Sequence, residues 1–158
     1  MDKTYYIENS KHRLFVNLFL LSVAISAFFI LVSRNSEYIL QKIVLVQLVL
    51  SVPLLLSSTL SQCKIASGET GKMWLIFTWI TFCFGYAFIT NVIGVFVGNI
   101  AGVGLSLTFF ITSWLLALTY SLIEVSYRKA RLKERLAKDL LFILLQLFFG
   151  VFVVLKIF

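Results

Sequence analysis

The stretch that decides the fold is residues 73–123, MWLIFTWITFCFGYAFITNVIGVFVGNIAGVGLSLTFFITSWLLALTYSLI. It contains no charged side chain and no histidine, and Lys72 and Glu124 flank it. A bilayer core is about 30 Å thick, so ~20 apolar residues suffice for one helix to cross it. The stretch therefore predicts two membrane crossings joined by a turn.

The composition of the whole chain supports the same class. Of the 158 residues, 60% are hydrophobic and 13% are charged, and the mean hydropathy is +0.98. Soluble domains carry about 25% charged residues. The formal net charge of +7 comes from basic residues that flank apolar spans, so topology and anionic lipid explain it and nucleic acid is not an expected partner.

We therefore predict an all-α membrane protein, a bundle of five transmembrane helices in a single membrane domain over residues 1–158. The predicted spans are 14–32, 39–60, 73–95, 100–123 and 140–158. Between the fourth and fifth spans, residues 124–139 contain no Gly or Pro and are rich in helix formers. They predict a basic amphipathic helix at the cytoplasmic surface.

The distribution of Lys and Arg predicts the orientation of the chain. With a cytoplasmic N-terminus, that side holds Lys3, Lys11, Arg13, Lys64, Lys72 and the six basic residues of 124–139. The other side holds Arg34, Lys42 and Lys156. Cytoplasmic loops carry the excess of Lys and Arg. Five spans then place the C-terminus on the opposite side of the membrane.

Polar side chains within the spans are the candidate site residues. On the second span, Gln47, Ser51 and Ser58 recur at helical spacing and share one face with Gln62. Further candidates on the later spans are Asn91, Ser113 and Gln146. Such a face is either the lining of a polar path or a set of hydrogen bonds between packed helices.

A series of small residues predicts close helix packing. Gly94, Gly98 and Gly102 recur every four residues, a spacing that lets helix backbones approach each other in a membrane. The turn between the third and fourth spans is expected near Gly98 and Asn99, because Gly and Asn favour turns. The two predictions conflict in part, since the turn would interrupt the glycine series.

The basic stretch supplies a second candidate site. Its residues Arg128, Lys129, Arg131, Lys133 and Arg135 are candidates for contact with anionic lipid or an acidic protein partner. The alternative is that the stretch only anchors the topology.

The sequence argues against an enzyme, and no catalytic residue, metal site or cofactor is expected. The chain has one histidine, and its acidic residues lie in tails, loops or helix ends. Residues 66–72 resemble a phosphate-binding loop, but Met73 stands where that motif needs Ser or Thr to hold magnesium. This segment is therefore expected to be a flexible turn.

Two functions remain compatible with these features. The first is a non-enzymatic membrane protein that self-associates as a homo-oligomer and forms a passive pore or channel for ions or small solutes. The second is a structural or regulatory membrane subunit that binds a protein partner or anionic lipid through residues 124–139.

Overall fold

A computed structural model describes residues 3–33, 42–69, 71–128 and 132–155, and in these ranges the chain is helical apart from short turns. The helices are α1 (Lys3–Ser33), α2 (Lys42–Ala66), α3 (Lys72–Ala101), α4 (Val103–Arg128), α5 (Leu132–Gln146) and α6 (Phe152–Val154). A π-helical turn, Leu147–Val151, joins α5 to α6. No strand occurs in the described ranges.

Five helical segments are long and apolar enough to cross a membrane, which confirms the predicted fold class. They are Ile7–Phe29, Lys42–Ala66, Lys72–Ala101, Val103–Ile123 and Leu136–Val154. The protein therefore has the features of an all-α, multi-pass membrane protein.

The helices are longer than the predicted spans. The first helix begins at Lys3, although its span was predicted from residue 14, and α2 continues to Ala66, six residues beyond the predicted end of its span. Hydropathy marks only the part of a helix that lies in hydrocarbon, whereas backbone hydrogen bonding continues into the polar interface.

The break between α3 and α4 falls at Gly102, three residues beyond the predicted turn at Gly98 and Asn99. Gly102 has φ +90°, which is the left-handed region that a glycine enters without steric cost. Its N–H donates to Gly98 O at 3.0 Å, so α3 keeps its helical hydrogen bonding up to the break.

The chain divides into two compact units, Met1–Ile89 and Thr90–Phe158, and the boundary falls inside α3. In the first unit, α1 packs along α2, and a buried cluster of Ala24, Leu55 and Ile89 forms a core. In the second unit, α4 packs along α5. The single membrane domain stays a prediction.

The described part of residues 124–139 belongs to two helices. The stretch includes the end of α4 at Arg128 and the beginning of α5 at Leu132. The predicted basic contacts Arg128, Lys129, Arg131, Lys133 and Arg135 have side chains that lie outside the described part of the chain.

Candidate functional site

In the first unit, a buried hydrogen-bond network joins three helices. The Asn17 side chain on α1 donates from Nδ2 to Ser58 Oγ on α2 at 2.8 Å. Ser58 Oγ in turn donates to the backbone oxygen of Thr78 on α3 at 3.4 Å. Asn17 is 1% exposed and Ser58 is fully buried. The polar groups of this network therefore satisfy one another between helices.

The rest of the predicted polar face of α2 is also buried. Gln47 is buried, and the buried Ser51 hydroxyl donates to Leu48 O of its own helix at 2.7 Å. Leu55 lies between Ser51 and Ser58 on α2, and a Cβ added at Gly85 of α3 would come within 3.0 Å of the Leu55 side-chain carbons. The described residues therefore place this face of α2 in contacts between helices.

Two buried polar atoms of the first unit have no hydrogen-bond partner among the described residues. They are Gln62 Oε1 and Thr78 Oγ1. Gln62 lies four residues before the end of α2 at Ala66, and Thr78 lies six residues after the start of α3 at Lys72. Both therefore lie toward the 66–72 connection rather than at the middle of a helix.

A shallow groove also opens at this end of the α2–α3 pair. Its volume is about 740 Å³, and its lining includes Leu60, Cys63, Trp74 and Phe77. Beside it, Lys64 Nζ forms an ion pair with Glu69 Oε1 at 3.0 Å. The segment that resembles a phosphate-binding loop follows α2, a helix, whereas a phosphate-binding loop follows a strand.

In the second unit, α3 and α4 fold back on each other in close contact. The Ser106 hydroxyl on α4 donates to Gly94 O on α3 at 2.7 Å. A Cβ on Gly94 would lie within 3.0 Å of three ring carbons of Phe110, and one on Gly98 would lie 3.2 Å from Ser106 Cβ. Gly94 and Gly98 therefore lie where α3 and α4 approach each other closely.

Gly102 does not share this role within the described part of the chain. No heavy atom of the described chain lies within 4 Å of the place where its Cβ would be. The residue serves the left-handed break between α3 and α4, and a glycine series that crosses a break cannot pack as one helix face.

The Asn91 side chain connects α3 to the π turn. Asn91 is fully buried, and its Nδ2 donates to Leu145 O, just before the π turn, at 3.3 Å. A Cβ on Gly150 would lie 2.7 Å from both Asn91 Oδ1 and Phe110 Cζ. A side chain that inserts beside the backbone ladder is a known cause of local widening of a helix. The Asn91 side chain and the Phe110 ring therefore both pack against Gly150 of the π turn.

The register of α4 against the C-terminal helix follows from two contacts. Val154 Cγ1 and Ser106 Cβ both lie 3.2–3.3 Å from the place of a Cβ on Gly98, so they lie at one level. Four residues later on α4, Phe110 contacts Gly150, which lies four residues earlier than Val154. The segment from Gly150 to Val154 is therefore antiparallel to α4, and one turn forward on α4 matches one turn backward on that segment.

Continued along α5, which contacts α4, this register predicts a seam of buried polar groups. We expect Trp114, one turn further along α4, to lie at the level of Gln146, and Ser121, two turns beyond it, to lie at the level of Asp139. The atoms Trp114 Nε1, Gln146 Oε1, Gln146 Nε2 and Asp139 Oδ2 are buried and have no hydrogen-bond partner among the described residues. We call Trp114, Ser121, Asp139 and Gln146 the α4–α5 seam.

The seam reaches the middle of the membrane-spanning segments. Gln146 is fully buried and lies near the centre of the span Leu136–Val154, and Trp114 lies near the centre of Val103–Ile123. Asp139 and Ser121 lie near the ends of the same two spans. The polar groups therefore run from one end of the pair of helices to mid-depth.

Ser113, another predicted lining residue, is only partly buried, and its hydroxyl donates to Phe109 O of its own helix at 2.9 Å. Its hydroxyl proton is thus used within the helix.

Sequence reasoning did not single out Phe110 or Trp114 in the second unit, and it assigned Gly150 no role. Nothing distinguishes Phe110 among the sixteen phenylalanines of the chain. Gly150 follows Gln146 by four residues on the same face, which was the available signal.

In chemical terms, the α4–α5 seam combines an indole N–H donor, an amide that both donates and accepts, a hydroxyl and, near the end of the helices, a carboxylate. Among the described residues, no group of three His, Cys, Asp or Glu side chains is placed to hold a metal ion. No family model, curated protein or solved structure matches the chain.

Proposed function

We propose that the protein is a non-enzymatic membrane protein that gives water and small neutral solutes a narrow passive route along the α4–α5 seam. The observation that carries this proposal is the Gln146 amide. It is fully buried near mid-span, and neither its oxygen nor its nitrogen has a hydrogen-bond partner among the described residues.

Magnitudes favour a hydrated seam over a dry one. An amide in an apolar environment without a hydrogen bond costs roughly 2–7 kcal/mol. Ordering a bridging water costs about 0–2 kcal/mol and restores most of the lost hydrogen bonding. Because Trp114 and Gln146 lie at one level, a water molecule there has both a donor and an acceptor on the protein.

The chemistry of the seam also favours neutral solutes over ions. The two groups near mid-span, an indole N–H and a primary amide, are uncharged. A permeating ion loses its hydration at this depth and needs charged or multiple carbonyl ligands to replace it. Asp139 is the charged member of the seam, and it lies near the end of its span.

The experiment is osmotic shrinkage of liposomes that contain the purified protein, followed by stopped-flow light scattering. We expect the protein to raise water permeability above that of protein-free liposomes, and Gln146→Leu to return it to that baseline. Leu144→Ala is the matched control, because Leu144 is exposed on the same helix. Liposomes that stay as tight as protein-free ones at high protein load would refute the route.

The second candidate is a structural or regulatory membrane subunit, and the network of Asn17, Ser58 and Thr78 favours it. Polar groups that satisfy one another between helices make a packed scaffold. In this proposal the N-terminus and residues 124–139 are cytoplasmic, the C-terminus is on the opposite side, and the basic stretch binds anionic lipid or an acidic partner.

This second candidate has its own test. Replacing Arg128, Lys129, Arg131, Lys133 and Arg135 by Gln should abolish binding to vesicles that contain anionic lipid, or to a partner, if the stretch is a binding site. Unchanged binding would leave the stretch as an anchor only. Self-association as a homo-oligomer is part of the first proposal, and light scattering after size-exclusion chromatography in detergent measures it.

A further inference from the structure

We infer that Phe110 is the constriction of the α4–α5 seam and sets the rate at which solutes pass; this inference rests on the proposed route. The phenyl ring is fully buried and is the largest side chain that the described chain buries completely. Its tip lies where three helical segments meet, against Gly94 of α3 and Gly150 of the π turn.

Two glycines at the tip of the ring allow the ring to lie in the seam. A Cβ on Gly94 or on Gly150 would lie within 3.0 Å of ring carbons, a separation that real side chains do not adopt. The backbones of α3 and the π turn therefore contact the tip of the ring directly. An apolar ring held against two backbones narrows the path and slows the passage of water, as hydrophobic constrictions in channels do.

Polar groups lie on both sides of this ring along the helices. Trp114 lies one turn further along α4, at the level of the buried, unpartnered Gln146 amide. One turn in the other direction lies Ser106, whose hydroxyl donates to Gly94 O at 2.7 Å. Phe110 thus separates two polar segments of one interface.

Asn91 fixes the π turn against which the Phe110 ring packs. Its Nδ2 donates to Leu145 O at 3.3 Å, and a Cβ on Gly150 would lie 2.7 Å from its Oδ1. This contact ties α3 to the backbone on the N-terminal side of the π turn. The ring therefore lies against a backbone surface that is fixed by a hydrogen bond between helices.

The experiment is one-sided cysteine labelling in oriented membrane vesicles with an impermeant, water-soluble methanethiosulfonate. The background carries Cys63→Ser and Cys83→Ala, and the reporter is Gln146→Cys. A thiol reacts as the thiolate, which needs water, so a lipid-facing thiol stays unlabelled. Leu144→Cys is the control for lipid exposure. Intact-mass spectrometry measures the labelled fraction.

With Phe110 present, we expect Gln146→Cys to be labelled from the side of Ser121 and Asp139 and to be protected from the other side. Phe110→Ala should make it reactive from both sides, and Phe110→Leu should give an intermediate rate. The matched control Ile111→Ala, on the exposed face of α4, should leave the labelling one-sided.

The outcomes separate the two proposals. No labelling of Gln146→Cys from either side would overturn the hydrated route itself. Labelling from both sides with Phe110 present, or from one side only after Phe110→Ala, would overturn the constriction alone. A several-fold rise in water permeability for Phe110→Ala, in protein that elutes as a single symmetrical peak, is the second readout of the constriction.

Discussion

Asn17 in the first unit and Gln146 in the second are both buried polar side chains, but their hydrogen bonding differs. In the first unit, Asn17 and Ser58 are hydrogen-bonded to each other and to the α3 backbone. In the second unit, the Gln146 amide is buried without a partner among the described residues. Both are polar groups in apolar helices, so composition does not separate them. The difference lies in whether a facing helix brings a partner within hydrogen-bonding distance.

The largest expected change in stability comes from replacing a closely packed glycine by alanine, and it differs between the two units. Gly94→Ala should destabilise the protein by about 1–3 kcal/mol, because its Cβ would meet the wedged Phe110 ring. Gly85→Ala in the first unit should cost less, because its nearest neighbours, Leu55 Cγ at 2.9 Å and Cδ2 at 3.0 Å, lie farther away than the nearest Phe110 ring carbon does from Gly94. Thermal unfolding in detergent measures both variants.

The control for this prediction is Gly104→Ala. Gly104 lies in α4 with no heavy atom of the described chain within 4 Å of its Cβ position. Alanine there should be neutral or stabilising by up to about 1 kcal/mol, as expected for helix propensity. In a Phe110→Leu background, Gly94→Ala should lower the free energy of unfolding by less than it does alone. If the two losses were equal, a steric clash between the added Cβ and the Phe110 ring would not be the cause.

The next effect compares the polar side chains directly. Asn17→Leu should cost about 0.6–1.7 kcal/mol, the range for hydrogen bonds between membrane helices. Gln146→Leu should leave stability unchanged or increased, because removing an unpartnered buried amide loses no protein hydrogen bond. Reversible unfolding in mixed micelles measures the two free energies.

For Asn17→Leu and Gln146→Leu, the effects on water permeability should be the reverse of the effects on stability. Asn17→Leu should leave the osmotic shrinkage rate of liposomes unchanged, whereas Gln146→Leu should reduce it. If Gln146→Leu proved as destabilising as Asn17→Leu, the amide would have a partner, and the contrast between the units would disappear.

The smallest effect is expected at Ser51 in the first unit. Its hydroxyl donates to Leu48 O within α2, so it contributes no bond between helices. Ser51→Ala should therefore change the unfolding free energy by less than about 0.5 kcal/mol. A change as large as that of Asn17→Leu would show that Ser51 joins helices in the membrane. The same unfolding assay measures it.

Much of the fold could be predicted from the sequence, and the candidate site only in part. The uncharged stretch 73–123 predicted two crossings, and α3 and α4 confirm them. Gln146 and Asn91 were singled out because a polar residue stands out in an apolar span. Phe110 and Trp114 could not be, because an aromatic residue in such a span is what lipid exposure and packing both produce.

The glycine series shows where local pattern reading fails. Gly94 and Gly98 pack closely, whereas Gly102, at the same spacing, has a φ of +90° and breaks the helix. Spacing alone does not distinguish a glycine that admits a neighbour from one that permits a turn. Both use the absence of a Cβ, but only the position of the neighbouring helix decides which use applies.

The sequence by itself determined the membrane class and the five apolar helices, because the free energy of placing a segment in hydrocarbon depends on that segment's own residues. Only the tertiary structure decided which polar groups have partners. Asn17 meets Ser58 across 41 residues of chain, and Asn91 meets Leu145 across 54. A hydrogen bond requires two groups within about 3 Å, so the register between distant helices decides it.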